Sequence, residues 1–266
     1  MGDPPSQRPA VAEPKGPYRA SLVREGDHVE VSQGYPILTM PSSGRHAAGS
    51  LLGGQIVDSD PASPGAGVDM GFSSDQLQLR APDVAVSPHT DAEGWVGEYP
   101  PLAIEYAGRY QRENELQERI ADLLEGGTKL LWVVRLSGER RVEIHRPGEE
   151  VQVARAGERL LAPGVLANPV LVEALWDREA AHEQTLKNLL QRRGYADLDE
   201  VLRQGKAEGK AEGKTAALLI VLEARGVPLS EAQRARLSAE TNSDRLDRWT
   251  RAALTVTDAE VLLAVP

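Results

Sequence analysis

Two acidic residues stand where apolar, strand-like runs end: Asp83 in RAPDVAV and Glu105 in PPLAIEYAG. Carboxylates at the ends of two neighbouring strands would offer hard oxygen ligands to a divalent cation, Mg²⁺ or Mn²⁺. Such an ion keeps part of its water shell and can act on a phosphodiester. Taken singly, each acid also reads as a solvated turn residue. Together, ahead of a strongly helical segment and the strand-like KLLWVV, they favour the metal-site reading. Glu30, in the alternating HVEVSQG, is a third candidate acid, set against the plainer reading that it faces solvent. His46 follows a Ser-Gly loop and reads as a structural hydrogen-bonding group rather than a ligand.

Other constellations carry less. SPHTD sets Ser87, His89 and Asp91 too close in sequence for a catalytic triad of ordinary geometry. There is no GxSxG, no Walker loop and no HExxH, and GAGVDMG misses the dinucleotide-binding spacing. The absence of cysteine excludes disulfides, thiolate zinc sites and cysteine nucleophiles. A net charge of −10 argues against a nucleic-acid coat protein, but not against an enzyme with a local basic groove. The N-terminus lacks an apolar signal stretch, and the longest aliphatic run, AALLIVL, is too short to span a bilayer. A cytoplasmic protein with no membrane partner is the expectation.

The elements that must hold these residues follow from pattern. A chain of 266 residues with 41% hydrophobic content supports one ordinary domain plus an appendage. Residues 1–17 are rich in Pro and polar residues and are expected to be disordered. From 18 to 176 a mixed α/β domain is expected. DHVEVSQGYPILTM alternates around Gly34 as a hairpin, and AAGSLLGGQIVD is a short helix or strand weakened by Gly53 and Gly54. DQLQLRAPDVAV gives two extended pieces, LAIEYA a buried strand, and Arg112 to Glu125 a helix with Leu116, Ile120, Leu123 and Leu124 on one face. KLLWVVRL is a central strand. RRVEIHR and EEVQVAR form a hairpin around Pro147-Gly148, and a short helix near NPVLVEALW closes the domain. The fold class expected is a mixed sheet flanked by helices.

Residues 177–266 read as a helical extension. Its GKAE repeat puts Gly205, Gly209 and Gly213 on one stripe with Lys206, Lys210 and Lys214 beside it. Each Gly costs about 1 kcal/mol against Ala and like charges four apart repel, so this helix needs a partner, expected to pack on the Gly stripe; a flexible solvated linker is the alternative. Ser230 with Gln233 and Thr257 with Glu260 fit capping boxes. DRLDRWTRAAL is amphipathic, and homo-oligomers through these C-terminal helices are an expectation.

In order and spacing, these stretches resemble the Uma-type restriction endonucleases of the PD-(D/E)XK nuclease superfamily. Glu30 with Gly34 resembles that family's E-x-x-x-G, and MPSSGRH its M-x-P-S-x-x-H. APDVAV supplies the Pro-Asp, and PPLAIEYAG is similar to the strand with the second acid. ERIADLLEGGTKLLWVV is similar to the helix–turn–strand that follows, and the C-terminal tail to tails of other superfamily members. Four positions depart. Ala107 stands where the superfamily places Lys, and Arg119 where the Uma-type Lys sits on the helix. Leu123 replaces a Tyr, and Arg135 an Asp. The resemblance implies a restriction-endonuclease-like core with Mg²⁺ or Mn²⁺ between Asp83, Glu105 and the backbone carbonyl of Tyr106. It also implies that Arg119 faces the scissile phosphate, that Glu30 completes an acidic cluster, and that water attacks phosphorus in line. The implied partner is nucleic acid, with DNA the expectation; the sequence itself does not separate DNA from RNA. Arg keeps its proton at any accessible pH and cannot serve as a base. The departures therefore leave an alternative, a catalytically inactive nuclease-fold binding or assembly module.

Overall fold

The computed structural model describes residues 17–109 and 111–265. The expected disordered segment lies almost wholly outside them. In chain order the elements are β1 (Val29–Ser32), β2 (Tyr35–Leu38), α1 (Gly44–Ser59), β3 (Ala66–Gly67), β4 (Val84–Val86) and β5 (Leu102–Ala107). Then come α2 (Glu113–Gly126), β6 (Leu130–Arg135), β7 (Arg141–His145), β8 (Gln152–Arg155), β9 (Arg159–Leu160) and β10 (Val170–Leu171). Four-residue 3₁₀ turn Val172–Leu175 stands where a short helix was expected, followed by α3 (Arg178–Arg192). The chain ends with α4 (Leu198–Ala224), α5 (Glu231–Ser238), α6 (Ser243–Ala252) and α7 (Ala259–Leu263).

A six-stranded sheet in the order β3-β4-β5-β6-β7-β8 carries the first unit, confirming a mixed α/β fold with helices on both faces. Only β5 and β6 pair in parallel, with α2 as the crossover between them. That burial on two faces explains why LAIEYA and LLWVV read as continuous apolar runs. Alternation sorts their side chains. Leu102, Ile104, Tyr106, Trp132 and Val134 join the α1 layer, whereas Ala103, Ala107, Leu131 and Val133 meet Leu116, Ile120 and Leu123 of α2. Gly127 ends α2 at φ +126, its N–H reaching the carbonyls of Leu123 and Leu124.

The β1–β2 hairpin turns through Gln33 (φ +48) and Gly34 (φ +79), the two positive φ values of a type I′ turn. Val31 of β1 exchanges backbone hydrogen bonds with Leu79, which places Glu30 beside Arg80. Helix α1 forms over AAGSLLGGQIVD, the helical one of the two expected outcomes; Gly53 faces a partner described below, and a Cβ on Gly54 would meet only Val68. Its N-cap is Ser43, whose hydroxyl accepts from the His46 N–H at 3.4 Å.

Contacts divide the chain after Arg193. Helix α3 packs on α1, with Asn188 Nδ2 donating to the Ile56 carbonyl at 3.0 Å, so it belongs with the sheet although the sequence suggested a boundary at 176. The second unit is helical. Helix α6 lies on α4 through a core that includes Leu218, Leu222, Leu246 and Trp249. Around Gly205, Gly209 and Gly213 an added Cβ would meet nothing within 4 Å among the described residues, so the packing uses another face of α4 than the Gly stripe. The Ser230–Gln233 capping box is present, whereas α7 is capped by Asp258 rather than Thr257. No described helix is long and apolar enough to cross a membrane.

Candidate active site

Strand register brings the two principal acids together. Val84 pairs with Ile104, so Asp83, one residue before β4, falls beside Glu105 on β5. Directly opposed residues of an antiparallel pair have Cβ atoms about 5 Å apart on one face. The Asp83 carboxylate is held at that edge by two groups. The Tyr106 N–H donates to Oδ2 at 2.6 Å, and His46 Nε2 lies 2.8 Å from Oδ1. Tyr106 is itself fixed by α1: its ring lies across Gly49 and Gly53, where any Cβ would collide with it. The docking that buries Tyr106 thus also brings the first turn of α1, with His46, to Asp83.

Glu105, 2% exposed, points to the α2 side. There Arg119 Nη1 donates to Glu105 Oε1 at 3.3 Å and to the Ala81 carbonyl at 3.2 Å, while Nη2 donates to Glu30 Oε1 at 2.9 Å. Glu30 gives its other oxygen to Arg80 Nη1 at 2.9 Å, and Arg80 Nε donates to Asp122 Oδ2 at 2.8 Å. Glu30 is therefore a buried carboxylate shared by two guanidinium groups. Of the expected site residues, Asp83, Glu105, Arg119 and Glu30 occupy one neighbourhood; Tyr106 contributes its N–H to Asp83. Ser87 lies at the opposite end of β4. Its hydroxyl accepts the His89 N–H, and the His89 ring faces Glu98 at 3.9 Å rather than forming a triad.

Burial and neighbouring charge set the protonation. Burial pushes the Glu105 carboxyl well above its ordinary range, opposed by Arg119 and reinforced by Asp83 and Glu30. The hydrogen bond to Asp83 raises His46 despite partial burial. Burial works against the Arg119 charge, but Glu105, Glu30 and Asp83 together hold the guanidinium above its ordinary value, so it stays protonated.

Sequence reasoning missed three participants. Asp69, exposed and in a left-handed backbone conformation at φ +52, is raised by partial desolvation and by the charges of Asp83 and Glu30, against the opposing charges of His46 and Arg119. Only its failed match to a Gly-rich motif had drawn notice to that stretch. Arg80 immediately precedes the Pro-Asp run. Asp122 stands three residues beyond Arg119 at the edge of the apolar face of α2, which was the available signal for a buried polar pair.

The donor set suits a hard cation. Asp83 and Glu105 are buried carboxylates on opposed positions of neighbouring strands, and Glu105 is raised by burial, with the charges of Asp83 and Glu30 adding to it. Among the described residues no three His, Cys, Asp or Glu side chains form a ready metal cage. Two carboxylates suffice for Mg²⁺, which takes its remaining ligands from water and phosphate.

A family profile described as Putative restriction endonuclease (Uma2) matches residues 17–171, a span that contains every residue of this cluster. A crystal structure of a putative nuclease belonging to DUF820 from Anabaena variabilis ATCC 29413 is similar at a TM-score of 0.50 and 18% identity. The alignment covers 60% of this chain and 95% of that one, and at this identity it speaks for the fold. No match was found among curated proteins. With more than half of its length inside the profile, the chain belongs to the Uma2 family of putative restriction endonucleases.

Proposed function

We propose that the protein is a cytoplasmic, divalent-cation-dependent endonuclease that hydrolyses phosphodiester bonds of nucleic acid, with DNA as the expected substrate. The observation that carries this reading is the pair of buried carboxylates, Asp83 and Glu105, side by side at the end of β4 and β5. Those two side chains, with the Tyr106 carbonyl, would hold Mg²⁺ or Mn²⁺. When bound, such an ion supplies Lewis-acid polarisation and lowers the pKa of water. The chain's own residues do the rest. His46 and the Tyr106 N–H fix Asp83 against rotation. Arg119 uses three of its five N–H donors on Ala81, Glu105 and Glu30, leaving donors for a phosphate oxygen at its 17% exposed edge. Being always charged, it stabilises developing negative charge and takes no proton.

A second reading, a nuclease-fold module that no longer cuts, is favoured by the same guanidinium, because Arg119 already neutralises Glu105 and Glu30. A supercoiled-plasmid assay with Mg²⁺ or Mn²⁺ separates the two. Nicking that falls about 100-fold or more in Glu105→Ala supports the enzyme. Undiminished nicking by that variant removes the mechanism, and no nicking by the unaltered protein favours the module.

A further inference from the structure

The charges around Arg119 continue away from the site as a row of alternating sign: Glu105, Arg119, Glu30, Arg80, Asp122. The far end is anchored. Ser32 Oγ donates to Asp122 Oδ2 at 2.6 Å, and Gln78 Nε2 donates to Oδ1 at 3.4 Å. Arg80 is 2% exposed and Asp122 5%, so water offers neither a substitute partner. Arg119, like Arg80, lies between two carboxylates, and it is the guanidinium that reaches Glu105. It sits at 2.9 Å from Glu30 and at 3.3 Å from Glu105. The closer contact to Glu30 draws the guanidinium partly off Glu105.

We propose that Glu30, clamped by Arg80 and Asp122, is a positioning residue that sets the divalent-cation affinity of Asp83 and Glu105 by governing how firmly Arg119 rests on Glu105. The proposal builds on the metal-dependent reading above. A cation approaching Glu105 competes with the guanidinium for the same oxygen. With Glu30 neutral, Arg119 keeps Glu105 as its only directly bonded carboxylate and becomes a stronger competitor. With Arg119 removed, the competition ends. Asp122 acts one step further out. Without its charge, Arg80 leans on Glu30 and loosens Glu30 from Arg119, the same direction as losing Glu30.

Calorimetric titration of the full chain with Mn²⁺ tests this, with circular dichroism to verify folding. Glu30→Gln is isosteric and leaves Arg80 its bonds to Asp122. Groups outside a metal's own ligand set alter metal affinity by about 10–100-fold when changed. Glu30→Gln is expected to weaken Mn²⁺ binding on that scale, Asp122→Asn to weaken it less, and Arg119→Gln to tighten it. The decisive arm is the double variant. If Glu30 acts through Arg119, adding Glu30→Gln to Arg119→Gln changes affinity by no more than the about twofold scatter of independent changes. A full weakening by Glu30→Gln in the Arg119→Gln background makes Glu30 a direct ligand and overturns the proposal, while leaving the metal reading intact. Weaker binding by Arg119→Gln alone also overturns it. Failure of every variant to bind Mn²⁺, or binding unaffected by Asp83→Asn, overturns both readings together.

Discussion

The ring of Tyr106 lies so close over Gly49 of α1 that a Cβ built there would stand 2.6 Å from its Cε1. Two glycines that weaken the helix on propensity alone are thus the groove that accepts β5. Gly49→Ala is expected to destabilise the first unit by about 1–3 kcal/mol through overpacking, although Ala is the better helix former. Gly209→Ala, on a helix face where an added Cβ meets nothing, is expected to stabilise the second unit by about 1 kcal/mol. Thermal melts of the two variants should move in opposite directions.

The bond from His46 to Asp83 makes stability depend on pH. Its hydrogen bond to Asp83 raises His46, so the folded chain holds the imidazole proton more tightly than the unfolded chain does. The contribution is complete below the unfolded value of 6.5 and is lost as pH rises through the elevated folded value. A charge-assisted hydrogen bond of this kind contributes about 1.5–3 kcal/mol. Urea midpoints measured from mildly acidic to alkaline pH should fall across that window in the unaltered protein. His46→Asn should flatten the fall; an identical profile in both proteins would contradict the assignment.

On α4, Leu198, Leu202 and Ile220 stand 48%, 62% and 66% exposed, and helical spacing puts them on the side of the glycine stripe. Pairing of copies through this side is the form that the homo-oligomer expected from the sequence would take. Light scattering is expected to give a mass above the 28.7 kDa of one chain, reduced to that value by Leu202→Glu, and to the mass of a single shortened chain when the chain ends after Arg193. A monomer for the unaltered protein would contradict the pairing.

Much of the sheet was legible because its signals are local. The runs LAIEYA and LLWVV announce strands buried on both faces, and RRVEIHR with EEVQVAR alternates as β7 and β8 do. Asp83 and Glu105 drew notice by type and place, although each alone reads as a solvated turn residue; the register of β4 and β5 sets them opposite one another. The rest was set by contacts distant in sequence. Ser32 meets Asp122 across 90 residues and Arg80 meets Glu30 across 50, so no spacing along the chain announces either. Asp69 joins the site through a backbone turn, not a motif. Helix α3 has the same amphipathic appearance whether it packs on α1 or belongs to the tail, which is why the boundary at 176 fell short of Arg193.

The site reading stands or falls on whether Asp83 and Glu105 grip one ion. Crystals grown with Mn²⁺ and measured at its absorption edge would locate that ion by anomalous scattering. The expected result is one strong peak within coordination distance of both carboxylates, lost in Asp83→Asn. A peak bound only to surface acids, or none while both side chains are well ordered, would contradict it.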